Sequence, residues 1–490
     1  MQADSLKAGT KKILIGNRCL TIKTKKEMKK NLFMVAAVAL MALVSCNKEE
    51  INNGVQEPAS DIVFVAEFDQ DADTKIALGD VVDGVRKTTW VAGDKIKING
   101  TEFTAKEDGE RVEFTTTTAS FDETAATFRA VYPSSSWQSA TSATIPATQD
   151  GTFASASIAV AQSETQSLSF KNVAAMLKFQ VPVACSSVTI ESTAALAGTV
   201  SVSFDEDGNP VLGEVQNPSK VITIEKSLAT GTDYYVAVLP GEHQFTVKIN
   251  GLTSKASSKT SKVLRAKLLD MKVLPDENFL YLVPNANWKQ TSRYAAYFFD
   301  NGEKWIDLVK FTDNLYATEK QSGFPKVIFV RMNPNKPENN WNNKYNQTGD
   351  MIIGTKKYCI IPFDVWDGSI VWSDNTTYDA SGKYYLVPNE NWKSDNAWFA
   401  TYFFNNSTNK NEWVKMTQFS TNPVYYEVVI PTGDWPNLIF CRMNKNNTSS
   451  MAWGNVWNQT KDLDKQTTNN FYTVAAGAWS KGNGSWSKKQ

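Results

Sequence analysis

The sequence predicts an all-β chain of several sandwich modules, and three observations carry that prediction. Apolar and polar residues alternate with a period of two over short runs separated by Gly, Asn, Asp and Ser, the pattern of half-buried antiparallel strands. A block of about 100 residues near the C-terminus occurs twice. The 490 residues, 42% hydrophobic and 11% aromatic, suffice for about three cored domains, which excludes disorder or a coiled coil as a description of the whole.

The first element is a leader. Met28-Lys29-Lys30 forms a positive n-region, and the apolar run Leu32 to Val44 is shorter than the ~20 residues that a spanning helix needs, so it reads as a signal peptide. The basic residues ahead of Met28 do not fit an n-region, so Met28 is the expected start. The run ends Leu43-Val44-Ser45-Cys46, which resembles a bacterial lipobox and implies diacylation of Cys46, making residues 1–46 the leader. Asn47-Lys48-Glu49-Glu50 resembles the tag that sends Bacteroidota lipoproteins to the outer face of the outer membrane. Acyl chains hold by ~0.8 kcal/mol per buried CH₂, so this resemblance implies a stable lipid anchor without a membrane-spanning helix. Residues 47–60 lack apolar periodicity and contain Pro58, a tether composition.

Residues 61–274 alternate most clearly, in Ile62 to Phe68, Asp94 to Ile98, Leu177 to Val181, Tyr234 to Val238 and Phe245 to Ile249. A sandwich of one or two lobes follows. Several fragments there resemble the fimbrillin-like family of Bacteroidota surface lipoproteins: Trp90 to Ile96, Tyr132-Pro133, Ile145 to Gln149, Phe170 to Phe179, Leu196-Ala197-Gly198 and Tyr234 to Pro240. The resemblance implies a β-sandwich region of a kind that in some members polymerises after clipping near the N-terminus, with Arg86 the candidate clip site. Two further modules follow the region here, which favours a stalk or tip role over polymerisation. His243, the single histidine, is expected in a solvated turn.

Residues 279–490 hold the duplication. Tyr281 to Lys289 (YLVPNANWK) recurs as Tyr385 to Lys393 (YLVPNENWK), an offset of 104 that climbs to 112 between Trp341 and Trp453. Matching segments read as strands and the growth falls between them, as expected of two modules, 279–373 and 383–487. Thirteen of the chain's 15 Trp lie here. Trp288 and Trp392, beside apolar alternation, read as core. Trp341 stands in Glu338 to Gln347 (ENNWNNKYNQ), where core packing does not explain a Trp among polar neighbours.

A sugar ring offers an apolar C–H face and a rim of hydroxyls, so its receptor needs flat aromatics together with carboxamides or Arg. Both repeats resemble the starch-binding carbohydrate-binding modules of bacterial amylases, in which an aromatic-x-aromatic strand, a following Trp and a Gln-bearing loop hold α-glucan. By that pattern the sugar-contacting residues are Tyr297, Phe299, Trp305, Trp341 and Gln347 in the first repeat, and Tyr402, Phe404, Trp413, Trp453 and Gln459 in the second. Arg331 and Arg442 are either rim donors or braces of the Asn-rich loop. The resemblance implies α-glucan as partner, the outer membrane as anchor and other starch-utilisation surface proteins as neighbours. A fimbrial tip or adhesin that binds host protein or glycan is the alternative.

Composition narrows the rest. Residues 1–45 hold 9 basic and 2 acidic groups, leaving 42 basic against 49 acidic beyond them. That balance argues against nucleic acid as a partner. One histidine excludes multi-His metal sites and a second-His base, and Asp350 and Asp462 lack the matched second carboxylate that glycoside hydrolysis uses. Neither catalysis nor a cofactor is expected. Cys185, Cys359 and Cys441 are too dispersed for a disulfide framework and read as ordinary thiols.

Overall fold

The computed structural model describes residues 61–490 apart from 69–80, 83–84, 87–88, 118–119, 369–370, 482 and 490. The expected leader, the Cys46 lipidation site and the tether lie outside the described residues. The chain is all-β, and within the described residues no helix is long and apolar enough to cross a membrane.

In strand Ile62–Phe68 buried and half-buried residues alternate along the whole length. It pairs in parallel with Ser167–Asn172 on one edge and antiparallel with Arg111–Thr116 on the other. With Lys95–Ile98, Thr101–Ala105, Phe128–Tyr132 and Ala159–Ser163 these strands close into a barrel rather than stacking as an open sandwich. Closure removes the unpaired edges that a free first strand would present. Phe64, Phe103, Phe114 and Trp90 fill the interior, and Trp90 Nε1 donates to the Ala66 carbonyl at 3.0 Å, which satisfies its buried N–H. Arg86 lies on the two-residue strand Val85–Arg86, paired with Val81–Val82.

A second lobe extends to residue 274 and takes Trp137–Ser139 and Ser142–Ile145 from between two barrel strands, so the lobes interleave in sequence. His243 corrects the expectation of a solvated turn: it is buried on the short strand Gly241–His243, with Nε2 at 2.9 Å from the Leu239 carbonyl and Nδ1 at 3.0 Å from Ser192 Oγ. Its neighbour Phe245 opens an apolar strand that pulls the turn into the core. Burial holds the imidazole pKa below its ordinary value.

Each repeat packs two sheets. In the first, Phe279–Val283 lies centrally in the order Val309–Thr312, Leu315–Glu319, Phe279–Val283, Tyr358–Ile360, Val371–Ser373; the facing sheet runs Lys304–Asp307, Arg293–Phe299, Lys326–Met332, Lys344–Gln347. The second repeat reproduces both orders from Lys383–Val387 onward. Trp288 and Trp392 are fully buried core residues, and their indole N–H groups donate to the carbonyls of Trp366 and Trp479, each at 2.8 Å.

The same face of each repeat docks on what precedes it. Tyr281 stacks on Tyr358 at 4.7 Å, in a cluster shared with the second lobe. Tyr385 stacks on Phe471 at 4.5 Å, in a cluster shared with the first repeat through Phe363 and Tyr378. Cys185, Cys359 and Cys441 are free and buried, and burial pushes all three thiols up in pKa.

Candidate functional site

Alternation along Arg293–Phe299 sends Tyr294, Ala296 and Phe298 into the core and leaves Ala295, Tyr297 and Phe299 on the opposite, outer face. Ile328, Val330 and Met332 line the same outer face from the neighbouring strand. Trp305 reaches it as the cross-strand partner of Tyr297. Such an apolar outer face has no sandwich partner to cover it, and it is covered by a loop. Asn340 caps the short turn Trp341–Asn343 by accepting from the backbone N–H groups of Asn342 and Asn343, and this places Trp341 over the sheet.

Three rings then meet pairwise. Tyr297 lies 4.9 Å from Trp305 and 4.7 Å from Trp341, and the two indoles are 4.8 Å apart, in tilted and edge-to-face arrangements. In the second repeat Tyr402, Trp413 and Trp453 stand at 4.9, 4.8 and 4.9 Å. Phe299 extends the first cluster by stacking on Tyr297 at 5.6 Å, and Phe404 extends the second on Tyr402 at 5.5 Å. Two clusters separated by more than 100 residues of sequence thus share one geometry to within about 0.1 Å.

The rings are unequally open. Trp341 and Trp453 are 40% and 45% exposed, and Trp305 and Trp413 are half-buried. Tyr297 and Phe404, each only 7% exposed, offer little surface to a ligand, and the indoles rest on Tyr297 in the first repeat and on the half-buried Tyr402 in the second. Burial and the carboxylate of Glu303 hold the Tyr297 phenol above its ordinary pKa. Gln347 stands opposite Val330, and Gln459 opposite Cys441, which puts both carboxamides at the rim of the outer face. Lys344 Nζ donates to Gln347 Oε1 at 2.5 Å and sits 5.4 Å from the Trp341 ring centre.

Arg331 and Arg442 do not serve as rim donors, because both are buried at the end of the inner face. Arg331 donates from Nε to the Trp288 carbonyl at 3.1 Å, and from its terminal nitrogens to the Gln290 carbonyl and Asn346 Oδ1. Arg442 repeats this with Trp392, Ser394 and Asn458 and adds an ion pair to Asp395 at 2.7 Å. Each guanidinium also lies against two rings, Tyr345 and Trp366 in one repeat, Trp457 and Trp479 in the other. With a partner on each guanidinium nitrogen, these arginines tie the loop strand to the core.

Sequence reasoning missed Glu303 and Lys344. Neither stands in a repeated pattern: Asn411 and Val456 take their places in the second copy. Asp350 and Asp462 are exposed, and no group of three or more potential metal ligands occurs among the described residues.

No family model matches the chain, and no curated relative does. Solved structures similar to it include a candidate cell adhesion protein from Bacteroides ovatus, at 16% identity over 37% of this chain and 83% of that one, TM-score 0.25. A second candidate cell adhesion protein, from Bacteroides fragilis, is 11% identical over 51% and 93% of the two chains, TM-score 0.24. A family 41 carbohydrate-binding module from streptococcal virulence factors, described as recognising α-glucan, is 10% identical over 40% and 92%, TM-score 0.15.

Proposed function

We propose that this chain is a non-catalytic, cell-surface glycan-binding protein whose two repeats each hold a segment of α-glucan against an outward-facing aromatic cluster. The observation that supports the reading is the duplicated cluster itself: an exposed Trp resting on a Tyr and a second Trp, with a carboxamide at the rim, twice at matching distances. Packing a core does not require it, since both clusters lie on the face turned away from the core.

An indole that hides roughly 80 Å² of apolar surface contributes about 2 kcal/mol at ~25 cal/mol/Å². Two such contacts and a few rim hydrogen bonds give about −4 to −6 kcal/mol, a Kd from about millimolar to tens of micromolar. Two sites on one polymer then gain ~10² to 10⁴ in avidity, which is a reason to duplicate the module. The barrel and second lobe act as a spacer, and the lipidated leader anchors the chain at the outer membrane facing the exterior, beside other starch-utilisation surface proteins.

Migration of residues 47–490 through an amylose or amylopectin affinity gel tests the reading. Retardation abolished by maltoheptaose supports it; unretarded migration shifts the assignment to an adhesin with another ligand. A reducing-sugar assay tests the absence of hydrolysis.

A further inference from the structure

The two clusters match, but their flanks differ in a concerted way. Arg293 begins the platform strand of the first repeat, and Trp398 occupies that register in the second: Arg293 pairs with Met332, and Trp398 with Met443. The residue opposite the platform alanine changes with it, from Asp307 across from Ala295 to Lys415 across from Ala400. The residue two places before the exposed Trp changes as well, from Asn339 to Met451. The first residue of the loop strand changes from Lys344 to Val456.

In the first repeat these positions form a polar clamp. Arg293 pairs with Asp307 at 2.9 Å, bonds Asn339 Oδ1, and donates to the loop carbonyls of Lys336 and Glu338 at 2.7 and 2.9 Å. In the second repeat Trp398, Met451 and Val456 instead join the apolar outer face around Ala400, Cys441 and Met443. The Trp398 N–H donates to the Asn444 carbonyl at 2.9 Å, and Lys415 Nζ stands 5.0 Å from the ring centre. Trp398 lies four residues from Tyr402 along one strand, about 14 Å at ~3.4 Å per residue, with small Ala400 between them. An aromatic surface thus stands at each end of the strand's outer face, the residues between them, Ala400, Cys441 and Met443, being buried, and an ammonium donor lies beside the outer ring.

We infer that Trp398, with Lys415 beside it, forms an additional sugar subsite present only in the second repeat, so that this repeat engages a longer stretch of glucan than the first. The inference rests on the glycan-binding reading above and assigns the chain-length preference within it. The first repeat ends its outer face with the Arg293 clamp, which offers no ring to stack on.

The test uses the full chain with the first platform silenced by Trp305→Ala and Trp341→Ala. On that background Trp398→Arg, Met451→Asn and Lys415→Asp together install the residues of the first repeat at all three positions, so that the new guanidinium finds the carboxylate and carboxamide that hold Arg293. Calorimetry with maltotriose and maltoheptaose is then compared before and after the exchange. Maltoheptaose affinity should fall about tenfold, equivalent to about 1.4 kcal/mol, while maltotriose affinity and the melting temperature hold. The reciprocal exchange, Arg293→Trp with Asn339→Met and Asp307→Lys in a chain silenced by Trp413→Ala and Trp453→Ala, should raise the preference for the longer chain. An unchanged ratio of the two affinities, or an equal loss for both ligands, would overturn the inference while leaving the binding reading in place. A background protein that binds neither oligosaccharide overturns the reading, and the inference with it.

Discussion

Arg331 donates from Nε to the carbonyl of Trp288 at 3.1 Å, and so joins the strand under the aromatic cluster to the buried turn that begins the repeat. Arg442 makes the same bond to Trp392 at 3.0 Å. A side chain conserved between the copies in this way fixes architecture. Arg331→Ala removes the donor to the Gln290 carbonyl and to Asn346 Oδ1 and one of three donors to the Trp288 carbonyl, which keeps Ser292 Oγ and the Tyr294 hydroxyl, and should lower stability by about 2–4 kcal/mol. Denaturant unfolding reads that loss, while binding at the intact second repeat persists.

Trp305→Ala with Trp413→Ala removes one indole from each cluster and undercuts Trp341 and Trp453, which lean on them at 4.8 and 4.9 Å. Binding to amylopectin should weaken at least ~100-fold, since the loss of about 2 kcal/mol at each site is compounded by lost avidity. Circular dichroism should remain that of the parent, because neither indole belongs to a sandwich core. Retained affinity in a folded double variant would place the binding surface elsewhere.

Much of this is legible in the sequence, and the limits have physical causes. The period-two runs gave strands because half-buried strands must alternate, and the copy of Tyr281 to Lys289 at Tyr385 marked the modules. Alternation also separated Tyr297 from Phe298 correctly. It does not tell an open outer face from one roofed by a loop, so the burial of Tyr297 and Phe404 is not legible in it. Barrel closure was invisible because it depends on Ile62–Phe68 pairing with strands about 50 and 100 residues away. His243 was misread because Gly241 and Glu242 look like a turn, whereas the ring is held by Ser192, about 50 residues distant.

Phe363 holds the two repeats together, its ring 5.3 Å from Tyr385 and 4.8 Å from Phe471. Phe363→Ala should cost about 3 kcal/mol at this contact. In calorimetry the second repeat should then melt in its own, earlier transition, whereas a single undisturbed transition would show that the docking face contributes little.

His243 is the chain's one histidine, so stability changes between about pH 5 and 7 isolate it. Its folded pKa lies below the unfolded value, so near neutral pH and just below, the unfolded chain binds more protons. The neutral, buried ring's contribution is complete above about pH 6.5 and is lost as pH falls below that, with a slope of up to about 1.4 kcal/mol per pH unit. Urea midpoints measured across this range should decline on acidification, and His243→Gln should flatten that decline.

The number of oligosaccharides bound per chain tests the central claim most directly. Titration calorimetry of the full chain with maltoheptaose should give a stoichiometry of two, falling to one when Trp305 and Trp341 are replaced by Ala, and to none when Trp413 and Trp453 are replaced as well. Two sites that survive all four replacements, or a folded parent that takes up no maltoheptaose at millimolar concentration, would contradict it.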